Sequence, residues 1–177
     1  MALQEFDGLV EALRAAGVEV LVVNDTAEPH TPDAIFPNNW ISMHADGRVV
    51  LYPMEAENRR TERRTDIIEF LGSEAGRQIS EVVDLSAHEA DGHYLEGTGS
   101  MVLDRVNRIA YACVSTRTHL DPLGDFSQRM GYDVVAFEAV DASGVPIYHT
   151  NVLMSIGEKL AVICDEAIPR EDQREAV

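Results

Sequence analysis

Three stretches of the sequence share one grammar, and that repetition limits the fold more than any other feature. Trp40 to Met54 reads WISMHADGRVVLYPM, Ser100 to Val114 reads SMVLDRVNRIAYACV, and Val152 to Cys164 reads VLMSIGEKLAVIC. Each is an apolar, β-branched strand, a polar turn and a second apolar strand. Asp46-Gly47 and Gly157-Glu158 are hairpin turn signals, and Val106-Asn107 fills the matching place in the second copy. The segments after the hairpins repeat as well. A helical pattern from Glu57 to Leu71, closed by Gly72, leads to a strand at Ile79–Leu85; a second from Pro122 to Met130, closed by Gly131, leads to a strand at Tyr132–Phe137. The chain start supplies the tail of such a unit: helix Glu5–Ala16, then Gly17, then strand Val18–Val23. The predicted class is therefore α/β, a single domain over 1–177 built of hairpin–helix–strand units at 36–85 and 95–138, with partial units at 1–35 and 147–177. A period of roughly 50–60 residues is longer than most solenoid repeats and fits radial stacking, as in propellers.

Charge and composition narrow the partners. Fourteen basic against 31 acidic side chains give a net charge of −17. Nucleic acid, whose phosphates need basic patches, is not an expected partner. No apolar run is long enough to span a membrane, and MALQEFDGLVEALRAAG places acids where a secretory signal would have a basic region. Two cysteines make no disulfide framework, so a cytoplasmic location is expected.

Immediately before each hairpin lies a polar cluster at a loop end: FPNN (Phe36 to Asn39), LEGTG (Leu95 to Gly99) and YHTN (Tyr148 to Asn151). If the units stack about an axis, Asn38, Asn39, Glu96, His149 and Asn151 fall on one face. A single such residue is ordinarily a cap or turn residue. Three clusters in one slot, supplying Asn, Glu and His, favour a site. Gly97 and Gly99 fit either a close backbone approach to a ligand or simply a tight turn. A carboxylate can accept a planar guanidinium's hydrogen bonds, and a histidine can protonate a leaving amine and later activate water. Neither is a covalent nucleophile here. Cys113 and Cys164 both lie in second hairpin strands, away from the polar clusters, and are expected to be buried structural residues. HEADGH, His88 to His93, raises a metal-dependent alternative using His88, His93 and Glu96, but its spacing matches no zinc pattern. It reads as a rim loop, as does Asp25–Asp33, and neither metal nor cofactor is expected. The basic run NRRTERR, Asn58 to Arg64, reads as a solvated helix face, with an anchor for a substrate carboxylate or an interface as the alternative.

FPNNW, NRRTERR, LEGTGSMVLDR and YHTNVLMSIG, in this order, resemble the guanidino-group-modifying enzymes, or penteins. These include arginine deiminase, dimethylarginine dimethylaminohydrolase, succinylarginine dihydrolase and the amidinotransferases. The resemblance is closest to the citrulline-utilisation hydrolases and runs over nearly the whole chain. It implies a five-bladed α/β propeller, of which this chain holds about three units. It implies that Glu96 is the carboxylate gripping guanidinium or ureido nitrogens and that His149 is the general acid/base. Asn39 and Asn151 fall where several relatives carry a substrate-binding aspartate and the aspartate of a His-x-Asp pair. Asparagine at both positions suits a neutral ureido group better than a cationic guanidinium. The family nucleophile is a cysteine of a later blade, which these residues do not include. The implied activity is thus a Cys-His-Glu hydrolase lacking its thiol, acting on an arginine- or citrulline-like amino acid. A non-catalytic binding or regulatory module, or an amidinotransferase, remains the alternative. Open blade edges imply self-association.

Overall fold

The computed structural model describes residues 2–177. Helix α1, Ala2–Ala15, is amphipathic and ends in a paired turn: the Gly17 N–H donates to Arg14 O and the Val18 N–H to Leu13 O. The strand expected at Val18–Val23 does not form. Its β-branched residues favour extension, but a strand needs a neighbour to take its backbone groups. Here none lies alongside among the described residues. Val18, Leu21, Val22 and Val23 are between 39% and 48% exposed.

The first hairpin pairs β1, Ile41–Met43, antiparallel to β2, Arg48–Leu51. Strand β3, Glu81–Asp84, then runs parallel to β2, with Arg48 opposite Glu81. The helix predicted from Glu57 to Leu71 is two pieces, a 3₁₀ helix at Glu57–Glu62 and helix α2 at Thr65–Ser73. The break falls at Arg63 and Arg64, whose backbones leave the helical region, Arg64 being extended. Arg63 reaches Tyr52 O at 3.1 Å and forms a forked pair with Glu89 at 2.5 and 2.9 Å. Those long-range bonds override a continuous helical pattern. Gly72 consequently lies inside α2 rather than closing it.

The order recurs in the second sheet. After a single helical turn, α3 at Gly97–Ser100, strands β4, Met101–Asp104, and β5, Ile109–Cys113, form the hairpin. Helix α4, Leu120–Met130, closes at Gly131 as expected and leads to β6, Asp133–Phe137, parallel to β5. A third hairpin, β7 at Met154–Ile156 with β8 at Ala161–Ile163, is two-stranded. Helix α5, Glu171–Ala176, comes last.

One core layer joins the first two sheets to α4 through Val50, Tyr52, Leu85, Met101, Phe126 and Met130. A second joins the second and third sheets through Cys113, Phe137, Leu153, Met154 and Ile168. Cys113 is thus buried as expected, but Cys164 is exposed, because it lies one residue beyond β8 on an uncovered edge. No helix among the described residues is long and apolar enough to cross a membrane.

A polar chain is buried near the first hairpin. His44 Nε2 lies 3.0 Å from Ser42 Oγ, which lies 2.6 Å from the Tyr52 hydroxyl. Burial, reinforced by nearby Arg105, pushes the His44 imidazole down to about 4 from an ordinary 6.5. The unfolded imidazole therefore takes a proton that the folded one refuses. This contribution is complete above about pH 6.5 and is lost as pH falls toward 4, with an upper size of about 3 kcal/mol. Denaturant midpoints of the native chain should fall from pH 7 to pH 5, and His44→Gln should flatten that slope. An equal slope in both proteins would contradict the assignment.

Candidate active site

The three polar clusters meet in space. Each sits on a short helical turn just ahead of a first hairpin strand: the 3₁₀ turn Pro37–Asn39 before β1, α3 before β4, and the 3₁₀ turn Thr150–Val152 before β7. Contacts between α3 and both other turns bring Glu96 to His149 across 53 residues of sequence. His149 Nε2 lies 2.8 Å from Glu96 Oε2. Glu96 is fully buried and His149 nearly so.

Glycine makes this approach possible. Gly97 has φ +48°, and a Cβ there would lie 2.2 Å from Asn38 O. A Cβ at Gly99 would lie 2.5 Å from Asn39 Nδ2 and 3.0 Å from His149 Cε1 and Nδ1. What comes close at both glycines is the neighbouring turns, and Gly97 also has the positive φ of a tight turn.

Glu96 is surrounded by donors. Oε2 accepts from His149 and, at 3.4 Å, from Arg117 Nη1; Oε1 accepts the Glu55 N–H at 3.2 Å. Burial alone would raise its pKa. The His149 hydrogen bond, the Arg117 charge and the Glu55 amide together outweigh burial and hold the carboxyl below its ordinary value. An ionised carboxylate only accepts, so His149 Nε2 carries the proton between them.

Asn39 is also buried. Arg59 Nη1 donates to its Oδ1 at 3.1 Å, and Arg59 forms a forked pair with Glu62 at 3.0 and 2.9 Å. Burial opposes the Arg59 charge, but Glu62 more than offsets it. Arginine has no acceptor, so the orientation of the Asn39 amide is fixed: Oδ1 faces Arg59 and Nδ2 faces the other way. Asn151 is exposed and lines the same cleft without a hydrogen bond to the pair. The cleft measures about 290 Å³; Asp33, Asn39, Arg59, Arg117, His149 and Asn151 are among its lining residues.

Several contributors were not legible in the sequence. NRRTERR is no solvated face, since Arg59 and Glu62 are among the most buried charged residues. The Arg–Glu spacing of i,i+3 inside that run was the available signal. Arg117 joins Glu96 to Glu55 and lies 4.9 Å over the Tyr148 ring, and no periodicity marks it. Among the described residues no group of three or more His, Cys, Asp or Glu is arranged to hold a metal ion, and the three residues of the metal alternative have other partners. His88 pairs with Asp125 at 3.2 Å, His93 with Asp121 at 2.9 Å, and Glu96 with His149. Neither cysteine lines the cleft. Burial raises the Cys113 thiol, whose Sγ donates to Ile147 O.

The family model for eukaryotic N,N-dimethylarginine dimethylhydrolase matches residues 1–177. The chain belongs to this family. Solved structures of the guanidino-modifying enzymes share its mixed α/β fold. A complex of AgrE with L-arginine, in a variant replacing a cysteine by alanine, is 21% identical with a TM-score of 0.74, covering 98% of this chain and 24% of that one. The substrate-bound N-terminal domain of the cyanobacterial arginine dihydrolase ArgZ, with a cysteine replaced by serine, is 18% identical with a TM-score of 0.71, covering 97% and 58%. A dimethylarginine dimethylaminohydrolase adduct with 4-chloro-2-hydroxymethylpyridine is 17% identical with a TM-score of 0.66, covering 98% and 64%. The chain thus spans about a quarter of full-length ArgZ, at 26%. None of the curated proteins matches it.

Gly99→Ala should push the His149 ring away from Glu96 and cost roughly 1–3 kcal/mol. Imidazole resonances of His149 unchanged from the native protein would contradict this packing.

Proposed function

We propose that this chain carries the guanidino- or ureido-binding and proton-transfer half of a Cys-His-Glu hydrolase. The observation that carries the reading is the buried 2.8 Å Glu96–His149 pair, whose His149 lines a polar cleft with Glu96 directly behind it. Glu96, ionised, accepts N–H bonds from the planar substrate group. A thiolate supplied from outside these residues adds to the central carbon. The C–N bond then breaks as His149 delivers its proton to the departing amine. Water, deprotonated by the same imidazole, adds to the thioester-like adduct, and the C–S bond breaks to regenerate the thiolate.

A neutral ureido group, as in citrulline, is the better substrate. Arg59 takes the Asn39 carbonyl, so Asn39 has only N–H to offer. Those N–H groups match a ureido oxygen and have no acceptor on a guanidinium. Arg117, at the cleft wall, further disfavours a cation. Asn151, exposed in the same cleft, is assigned to the substrate's amino-acid end. Calorimetry on this chain should show citrulline binding at least tenfold more tightly than arginine, with Glu96→Gln abolishing it. Tighter binding of arginine would overturn the ureido assignment, and no heat with either ligand would overturn the site. The absence of a cysteine from the cleft keeps one rival, a binding module without catalysis. Citrulline bound by the chain but not consumed once a thiol-bearing remainder is present would favour it.

The architecture we infer is about three units of a five-bladed propeller, working in the cytoplasm, where both free thiols survive. Among the described residues strand β8 has no parallel third strand of the kind that β2 and β5 have. The bare Val18–Val23 segment is such a strand without a hairpin. Open edges of this kind recruit partners. Light scattering should report an assembly larger than 19.5 kDa; a monomer at all concentrations would contradict it.

A further inference from the structure

Two buried hydroxyls tie the active-site turns together. Thr150 directly follows His149, and Ser100 ends the helical turn that begins after Glu96. Both are fully buried. The Thr150 hydroxyl accepts the Cys113 N–H at 2.7 Å and donates to Ser100 O at 2.5 Å. The Ser100 hydroxyl accepts the Glu96 N–H at 2.8 Å and donates to Arg117 O at 2.7 Å. Each hydroxyl receives one hydrogen bond and gives one. The end of β5, the His149 turn, the Glu96 turn and the Arg117 backbone are joined in one continuous network.

We propose that Thr150 is the positioning residue of this site: its hydroxyl, bridging Cys113 and Ser100, sets the approach of His149 to Glu96. The inference rests on the proposed function, since the approach matters only if the pair handles protons. The geometry needs a hydroxyl. Valine would fill the same space but leave the Cys113 N–H and the Ser100 carbonyl buried and unpaired. The turn would then shift to find other partners, drawing His149 from Glu96. Serine would keep both bonds and lose only a methyl group.

Glu96 reports on this contact without substrate. Its carboxyl faces His149, Arg117 and the Glu55 amide in a buried site. With the His149 bond lost and burial retained, its titration must move upward. Carbon-13 NMR of the Glu96 carboxyl in this chain, beside thermal melts, is the test. In Thr150→Val the midpoint should rise by at least one pH unit, about tenfold in proton affinity, and in Thr150→Ser it should stay at the native value. A purely structural role would lower the melting temperature of Thr150→Val without moving Glu96. An unmoved midpoint in folded Thr150→Val, or an equal rise in Thr150→Ser, would overturn the proposal. If Thr150→Val does not fold, Thr150→Cys, with its weak thiol hydrogen bonds, takes its place under the same criteria. Citrulline calorimetry on the native chain fails separately if the functional reading is wrong, so the two outcomes are distinguishable.

Discussion

A fully buried carboxylate, Glu96, is the constraint on which the rest of the site depends. Removing a carboxylate from water costs several kcal/mol unless partners replace its hydration. Its neighbourhood answers that demand with a histidine, an arginine and a backbone amide. Each donor comes from a different part of the chain, so the charge can exist only when those three segments are assembled around Glu96. The same donors keep the carboxyl ionised and hold the proton on His149 Nε2. Fold and acid–base state are therefore one requirement. The two glycines of LEGTG answer to it, because the turns could not approach so closely over side chains.

Around that centre, polarity is organised in layers. Arg59 and Glu62 form a buried ion pair beside Asn39, and their function toward the cleft is to orient an amide. A buried pair of this kind adds little net stability, but it fixes geometry, because removing either partner strands a charge. Arg117 sits nearer the solvent and is shared between Glu55 and Glu96. A substrate entering the cleft would compete for Glu96 with an arginine already there.

The sequence revealed what local pairing dictates. Hairpins, a helix over Pro122 to Met130 and the slot shared by Asn39, Glu96 and His149 all arise from alternation, turn chemistry and repetition. It concealed what depends on distant partners. Val18–Val23 has strand composition, but nothing local could say that no neighbour would lie alongside. Glu57–Leu71 has helical composition, but Arg63 is drawn away by Glu89 and Tyr52. Arg59 and Glu62 look like surface charge because charge is usually exposed, and only the assembled turns show that they are enclosed. Arg117 carries no pattern at all, since its role comes entirely from contacts made across the cleft. Cys164 sits in an apolar run that suggested burial, yet it is exposed just beyond β8, which pairs only with β7 among the described residues.

The most direct test of the central claim is a crystal structure of this chain soaked with citrulline. The account predicts the ureido nitrogens within hydrogen-bonding distance of the Glu96 carboxylate, the ureido oxygen facing Asn39 Nδ2, and His149 adjacent to the nitrogen that would leave. A ligand seated elsewhere, or one whose ureido group points away from an intact Glu96–His149 pair, would contradict it.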